Sequence, residues 1–235
     1  MKNNPPQQSL SRPFSVLACV LLLAFTALLF TVPSSHAGVG RAGKVVALKR
    51  GKLMRMTKEK KWEAVSKGGT VYFGDRIKTG KRTIAIVKLP GKGRFVIGPQ
   101  SDIRLGMDKK EFNALISEGS VWVDAAKLSK GSTLKVRSPQ VTTGVRGTKF
   151  SVLTDKKGGA VCTCEGLVDV IFSDSEVIQS PGKHFVEIGK NGEHADEAKP
   201  DLHLLRRKKK NRYKWCFECH EAGGKGKLKR NWNKL

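Results

Sequence analysis

The sequence predicts an all-β fold of short strands, arranged as a sandwich, a barrel or a β-solenoid. Short apolar runs recur through the middle of the chain, and turns containing glycine or proline separate them. No long segment has the 3.6-residue apolar period of a helix, so a helical domain is not expected. Aromatic residues make up only 7% of the chain, which predicts a core built mainly from aliphatic side chains.

The first element is an N-terminal targeting segment, residues 1–37. Lys2 and Arg12 precede an apolar run over 16–32, and a small-x-small cleavage pattern follows at Ser35-His36-Ala37. This order predicts a secretory signal peptide. The alternative is an uncleaved anchor, although the run is slightly shorter than the ~20 apolar residues of a typical span. We therefore expect an exported protein that lies in the periplasm, either free or anchored to the inner membrane.

Residues 43–189 form the predicted β-domain. Its turns are marked by pairs such as Pro90-Gly91 and Pro181-Gly182, and its apolar runs are too short for helices. Six strands are expected, at 44–48, 83–89, 94–97, 120–123, 149–153 and 167–172.

The remainder of the chain has a different composition. Residues 190–202 are polar and are predicted to be a linker. Residues 203–235 form a basic tail in which twelve Lys and Arg accompany only Glu218 and Glu221. Such a tail cannot bury itself, so it is expected to be mostly irregular or short-helical.

Five short sequence blocks occur along the β-domain, in an order that is typical of one protein family. They are Gly74-Asp75-Arg76-Ile77-Lys78-Thr79-Gly80, Val96-Ile97-Gly98-Pro99-Gln100-Ser101, Leu115-Ile116-Ser117-Glu118-Gly119-Ser120-Val121, Ser138-Pro139 followed by Val145-Arg146-Gly147-Thr148-Lys149-Phe150, and Glu165-Gly166-Leu167-Val168. In these blocks the chain resembles the FecR domain family over most of residues 43–188. The resemblance implies a FecR-like β-solenoid or sandwich that binds, scaffolds or senses another component of the cell envelope.

The motif residues also have an ordinary structural explanation, because Gly, Asp and Thr satisfy the backbone geometry and hydrogen bonds of turns. We interpret the following residues as structural: Gly74, Asp75, Thr79, Gly80, Arg146, Gly147 and Thr148. The archetypal relatives carry a cytoplasmic anti-sigma region before a membrane helix. Only about fifteen residues precede the apolar run in this sequence, too few for a folded domain, so the anti-sigma role is not expected.

The basic tail contains Cys216-Phe217-Glu218-Cys219-His220, the spacing of a c-type haem attachment motif. Cys216 and Cys219 would form thioethers to the haem, and His220 would be the proximal ligand of the iron. Haem c attachment requires export, which the N-terminal segment predicts independently. We therefore predict one haem c on the tail.

Three alternatives remain open for these cysteines. They could form a redox-active or structural disulfide, they could share a zinc site with Cys162 and Cys164, or the match to the haem motif could be a chance one. Cys162 and Cys164 lie two residues apart on one apparent strand and so point to the same side. A disulfide from this strand to Cys216 or Cys219 would exclude haem.

The absence of catalytic motifs and the net charge exclude further classes of function. The sequence contains no Walker A loop, no metalloprotease or nucleophile-elbow motif and no paired carboxylates, so we do not expect an enzyme. The formal charge of +25 predicts an anionic envelope component or an acidic redox or envelope protein as partner, and export makes nucleic acid an unexpected one. The leading hypothesis is a non-catalytic envelope module. The alternatives are a small electron-transfer protein and a structural envelope protein with a disulfide or zinc clip.

Overall fold

The computed structural model describes residues 40–57, 60–106, 108, 110–145 and 147–198, without the side chains of residues 197 and 198. The chain divides into two compact units, Met1–Gly38 and Val39–Leu235, and all described residues belong to the second. The predicted signal peptide, the basic tail and Arg146 lie outside the described residues. No helix in the described part of the chain is long and apolar enough to cross a membrane.

The described residues form seventeen β-strands and no helix, so the all-β prediction is confirmed. The strands are β1 (Arg41–Lys49), β2 (Leu53–Met56), β3 (Trp62–Val65), β4 (Thr70–Tyr72), β5 (Arg76–Thr79), β6 (Ile84–Leu89), β7 (Gly93–Ile97), β8 (Asp102–Arg104), β9 (Glu111–Ala125), β10 (Thr133–Arg137), β11 (Val141–Val145), β12 (Lys149–Asp155), β13 (Gly158–Glu165), β14 (Leu167–Phe172), β15 (Val177–Pro181), β16 (His184–Gly189) and β17 (His194–Ala198). The six predicted strands correspond to β1, β6, β7, β9, β12 and β14.

The strands form two sheets that share the long strand β9. Sheet A has the order β4-β1-β6-β7-β9-β12-β13-β16-β17. Sheet B has the order β3-β2-β5-β8-β9-β10-β11-β14-β15. The first half of β9 belongs to sheet B and the second half to sheet A, and Gly119 lies where the strand passes between them.

The inner faces of the two sheets pack against each other. One hydrophobic cluster contains Val123 and Val152 of sheet A together with Leu134 of sheet B. Phe95 of sheet A meets Phe112 of sheet B edge to face, with ring centroids 5.9 Å apart. The arrangement is therefore a two-layered sandwich, in which each fully buried aliphatic or aromatic side chain contributes ~1.5–3 kcal/mol of transfer free energy.

Sheet A is also buried on the side that faces away from sheet B. There Ile86, Val96, Trp122 and Cys164 form a separate apolar cluster, and Phe185 belongs to another. Every described strand belongs to one of the two sheets, so no described strand covers this side. We call the following set the apolar outer face: Ile84, Ile86, Val96, Trp122, Leu153, Cys162, Cys164 and Phe185.

The sheet extends beyond the predicted β-domain. β1 begins at Arg41, and β17 pairs with β16 as the edge strand of sheet A, within the stretch that the sequence predicted to be a linker. The prediction rested on the polar composition of residues 190–202. An edge strand tolerates such a composition, because one of its sides faces water rather than another strand.

Candidate functional site

The first motif block forms the corner between β4 and β5. Gly74 has a φ of +83°, which favours glycine. The Asp75 carboxylate accepts a hydrogen bond from the Tyr72 backbone N–H at 2.8 Å, and its own carbonyl accepts one from the Leu105 N–H, also at 2.8 Å. Asp75 therefore holds the corner from its side chain and ties it to the end of β8.

Arg55 lies beside this carboxylate. Its Nη1 is 3.8 Å from Asp75 Oδ2, and its guanidinium lies over the Tyr72 ring, 4.9 Å from the centroid. Burial raises the pKa of Asp75 above its ordinary value, outweighing the Tyr72 hydrogen bond and the Arg55 charge, which lower it. A half-buried carboxylate with these contacts is suited to fixing a corner.

The second corner joins β5, the turn before β8, and β9. The Thr79 hydroxyl donates to the Gly98 carbonyl at 2.6 Å and accepts from the Ser101 N–H at 2.9 Å. Ser101 Oγ in turn accepts from the Ser120 N–H at 3.0 Å. A Cβ on Gly119 would lie 2.3 Å from Ser101 Oγ. The second and third motif blocks thus meet at one buried hydrogen-bonded contact.

The remaining motif residues lie at another corner or in open turns. Gly147 has a φ of +65°, and Thr148 is buried; its carbonyl accepts a hydrogen bond from the Ala125 N–H at 2.9 Å. Gly80 lacks a positive φ, and its carbonyl accepts from the Thr83 N–H at 3.2 Å. Arg146, between β11 and β12, lies outside the described residues.

Four exposed cations lie on two turns beside these corners, one between β1 and β2 and the other between β5 and β6. The sequence alone did not identify them. We define Arg50, Lys52, Lys81 and Arg82 as the basic corner. None of them takes part in an ion pair between described residues. Four cations on neighbouring turns, with no ion pair to any residue that the structure describes, form a site suited to an anion.

The pairing of the strands brings these two turns together. Leu53 at the start of β2 pairs with Thr79 at the end of β5. On the other side, Lys49 pairs with Ile84 at the start of β6. The Thr83 hydroxyl also donates to the Arg50 carbonyl at 3.4 Å. The only signal in the sequence is a pair of short Lys/Arg clusters beside glycines, about thirty residues apart.

The cysteines fall into two groups. Cys162 and Cys164 lie on β13 and point to the same side of sheet A, and Cys164 is disulfide-bonded. Cys216, Cys219 and His220 lie outside the described residues, so the haem and zinc predictions stay predictions. Within the described ranges, no group of three or more His, Cys, Asp or Glu is placed to hold a metal ion.

Residues 75–169 match the family described as FecR protein. The FecR match begins at Asp75 and ends on β14, so it includes Thr79, the Ser101 corner, Gly119 and Thr148. No curated protein matches the chain.

Two crystal structures of a "putative anti-sigma factor" from Parabacteroides distasonis are similar to part of the chain. Each has 18% sequence identity and a TM-score of 0.49. The similarity covers 55% and 56% of this chain and 62% and 63% of those chains, so less than two thirds of their length is matched.

Proposed function

We propose that this protein is a non-catalytic FecR-like binding module of the cell envelope that docks on an anionic surface through the basic corner. The FecR match over residues 75–169 supports the class of module. The observation that carries the docking is the basic corner, where four exposed cations lie on two adjacent turns and none pairs with a described acid.

The occupant that fits this corner best is a surface of phosphate-bearing lipid headgroups. The cations lie on turns that project from the strands, and neither turn carries an exposed aromatic side chain, so charge rather than shape would govern contact. A Lys or Arg near an anionic membrane contributes about 1 kcal/mol. The basic tail adds charge of the same sign, so both parts would favour the same partner.

The test is co-sedimentation of the exported protein with phosphatidylglycerol and with phosphatidylcholine vesicles. We expect binding to the anionic vesicles alone, and it should weaken as salt shortens the range of the attraction. Lys81→Gln with Arg82→Gln should reduce the affinity roughly tenfold or more, because two of the four corner charges are lost.

Lys156→Gln with Lys157→Gln is the matched control, since these exposed neighbours in the β12–β13 turn remove the same charge. The control should stay within about twofold of wild type. Equal losses in both pairs would show that net charge acts rather than the corner. Binding to an acidic envelope protein without binding to vesicles would contradict the lipid surface as partner.

The haem prediction provides the second candidate function, electron transfer. It depends on Cys216, Cys219 and His220 alone, and a visible spectrum of protein exported with active cytochrome c maturation tests it. A reduced α-band that is lost in Cys216→Ala/Cys219→Ala would support it.

A further inference from the structure

The apolar outer face of sheet A needs an occupant. Antiparallel sheets in sandwiches usually turn polar side chains to water on the outside. Here Ile86 and Trp122 are 0% exposed and Phe185 is 1% exposed, yet no described strand lies over them. The indole N–H of Trp122 is buried without an acceptor in the described part of the chain, whereas a solvated face would supply water.

The disulfide of Cys164 indicates where the occupant comes from. Cys162 is not its partner, because the Cys162 thiol does not take part in a disulfide. The partner therefore lies outside the described residues.

The sequence leaves three cysteines, namely Cys19, Cys216 and Cys219. Cys19 lies in the apolar run over 16–32, which is expected to be cleaved or held in the membrane. Of the three, the two tail cysteines are those expected to remain beside the β-domain after export.

The end of the described chain lies within reach of Cys164. Ala198 pairs with His184, β17 is the edge of sheet A, and β13 is the second strand inward. Two strand spacings place Ala198 about 10 Å from the level of Cys164. The eighteen residue steps from Ala198 to Cys216 can span that distance several times over.

The tail also carries the side chains that such a face would bury. Tyr213, Trp215 and Phe217 surround Cys216, while the cations of residues 206–212 precede them. We propose that residues 199–235 of this chain cover the apolar outer face, held by a disulfide between Cys164 and either Cys216 or Cys219. The apolar part lies on the sheet and the cations stay in water.

The bond forms by thiol–disulfide exchange with a donor disulfide in the exported compartment. Each cysteine loses one proton and one electron, a sulfur–sulfur bond forms between them, and the donor is reduced to two thiols. A cysteine in this bond cannot also form a thioether to haem. The clip and the haem are therefore mutually exclusive states of the tail.

Peptide mapping of the exported full chain tests the proposal. Free thiols are blocked without reduction, and the protein is digested with trypsin. Cleavage after Lys157, Lys183, Lys214 and Lys225 leaves Cys162 and Cys164 on peptide 158–183, and Cys216 and Cys219 on peptide 215–225. We expect these two peptides to be joined, and to separate on reduction. Peptide 158–183 recovered unlinked, or peptide 215–225 carrying haem, would overturn the proposal.

Two serine variants of β13 provide a matched comparison, since Cys162 and Cys164 are both buried on the same side. Cys164→Ser should lose the linked peptide completely and speed tryptic cleavage within residues 206–212 several-fold. Cys162→Ser should keep the link. A linked peptide found only in a dimer on a non-reducing gel would place the tail on a second copy and contradict the intramolecular clip.

Discussion

The two outer faces of the sandwich have opposite chemistry. Sheet B turns Lys78, Arg104 and Lys135 outward, and the large apolar Leu115 on that side remains 41% exposed. Sheet A places Trp122 at the equivalent outward side of the other half of β9, where it is 0% exposed. One strand therefore contributes an exposed leucine to one face and a buried tryptophan to the other.

This difference shows how the apolar pattern of a strand in an antiparallel sheet reports the burial of its two sides. Strands of sheet B alternate, as in residues 133–137, because only their inner side is buried. Strands of sheet A contain continuous apolar runs, such as 84–87 and 121–123, because both of their sides are buried. A continuous run thus indicates a third layer, even where none of the described strands supplies it.

The largest expected effect comes from truncating the two outward residues of β9. Trp122→Ala should lower the free energy of unfolding by about 3–5 kcal/mol, because it opens a cavity under the cover of sheet A. Leu115→Ala should cost less than about 1 kcal/mol, because the side chain is already in water. Urea denaturation followed by circular dichroism measures both. If both variants lost a similar amount of unfolding free energy, the two outer faces would have the same environment and the contrast drawn between them would be wrong.

The glycine at the crossing between the sheets gives the next effect. Gly119 has a φ of +99°, and a Cβ there would lie 2.3 Å from Ser101 Oγ. We expect Gly119→Ala to cost about 2–3 kcal/mol, combining backbone strain with the displacement of a buried hydrogen bond.

Gly80→Ala is the control in the same group of motif glycines. Its φ is not positive, and the nearest atom to an added Cβ, Thr83 Oγ1, is 3.4 Å away. This change should alter stability by less than about 1 kcal/mol in the same urea measurement. If Gly80→Ala proved as costly as Gly119→Ala, the geometry of the crossing would not be what requires glycine.

The sequence predicted the fold class and the order of the six strongest strands, because alternation and turn residues are local properties. It did not predict β17, since a polar edge strand resembles a linker in composition. It also did not predict the basic corner, because Arg50 and Lys81 become neighbours only through the pairing of β2 with β5 and of β1 with β6. The continuous apolar runs around Ile86 and Trp122 indicate that both sides of sheet A are buried, but no local pattern shows which segment covers the outer side.

The smallest expected effect concerns the charged face of sheet B. Asp102 accepts hydrogen bonds from Arg76 Nε at 2.8 Å and Nη2 at 2.6 Å, and Lys78 Nζ lies 3.2 Å away. Burial raises the pKa of Asp102, but the hydrogen bonds and charges of Arg76 and Lys78 together bring it below the ordinary value of 3.8. Between the lower pKa of Asp102 in the folded protein and its ordinary value of 3.8, the folded state therefore binds fewer protons than the unfolded state.

Stability from Asp102 is consequently present above pH 3.8 and is lost as the pH falls through the lower pKa of the folded protein. Asp102→Asn should be ~0.5–1 kcal/mol less stable than wild type at neutral pH, as expected for a partly exposed ion pair. The difference should shrink towards zero below that pKa, and high salt at neutral pH should shrink it as well. Urea midpoints of both proteins at neutral and acidic pH measure it. If the stability difference between wild type and Asp102→Asn did not change with pH, Asp102 would act through packing or neutral hydrogen bonds. Its charge would then contribute nothing to the contrast between the two outer faces.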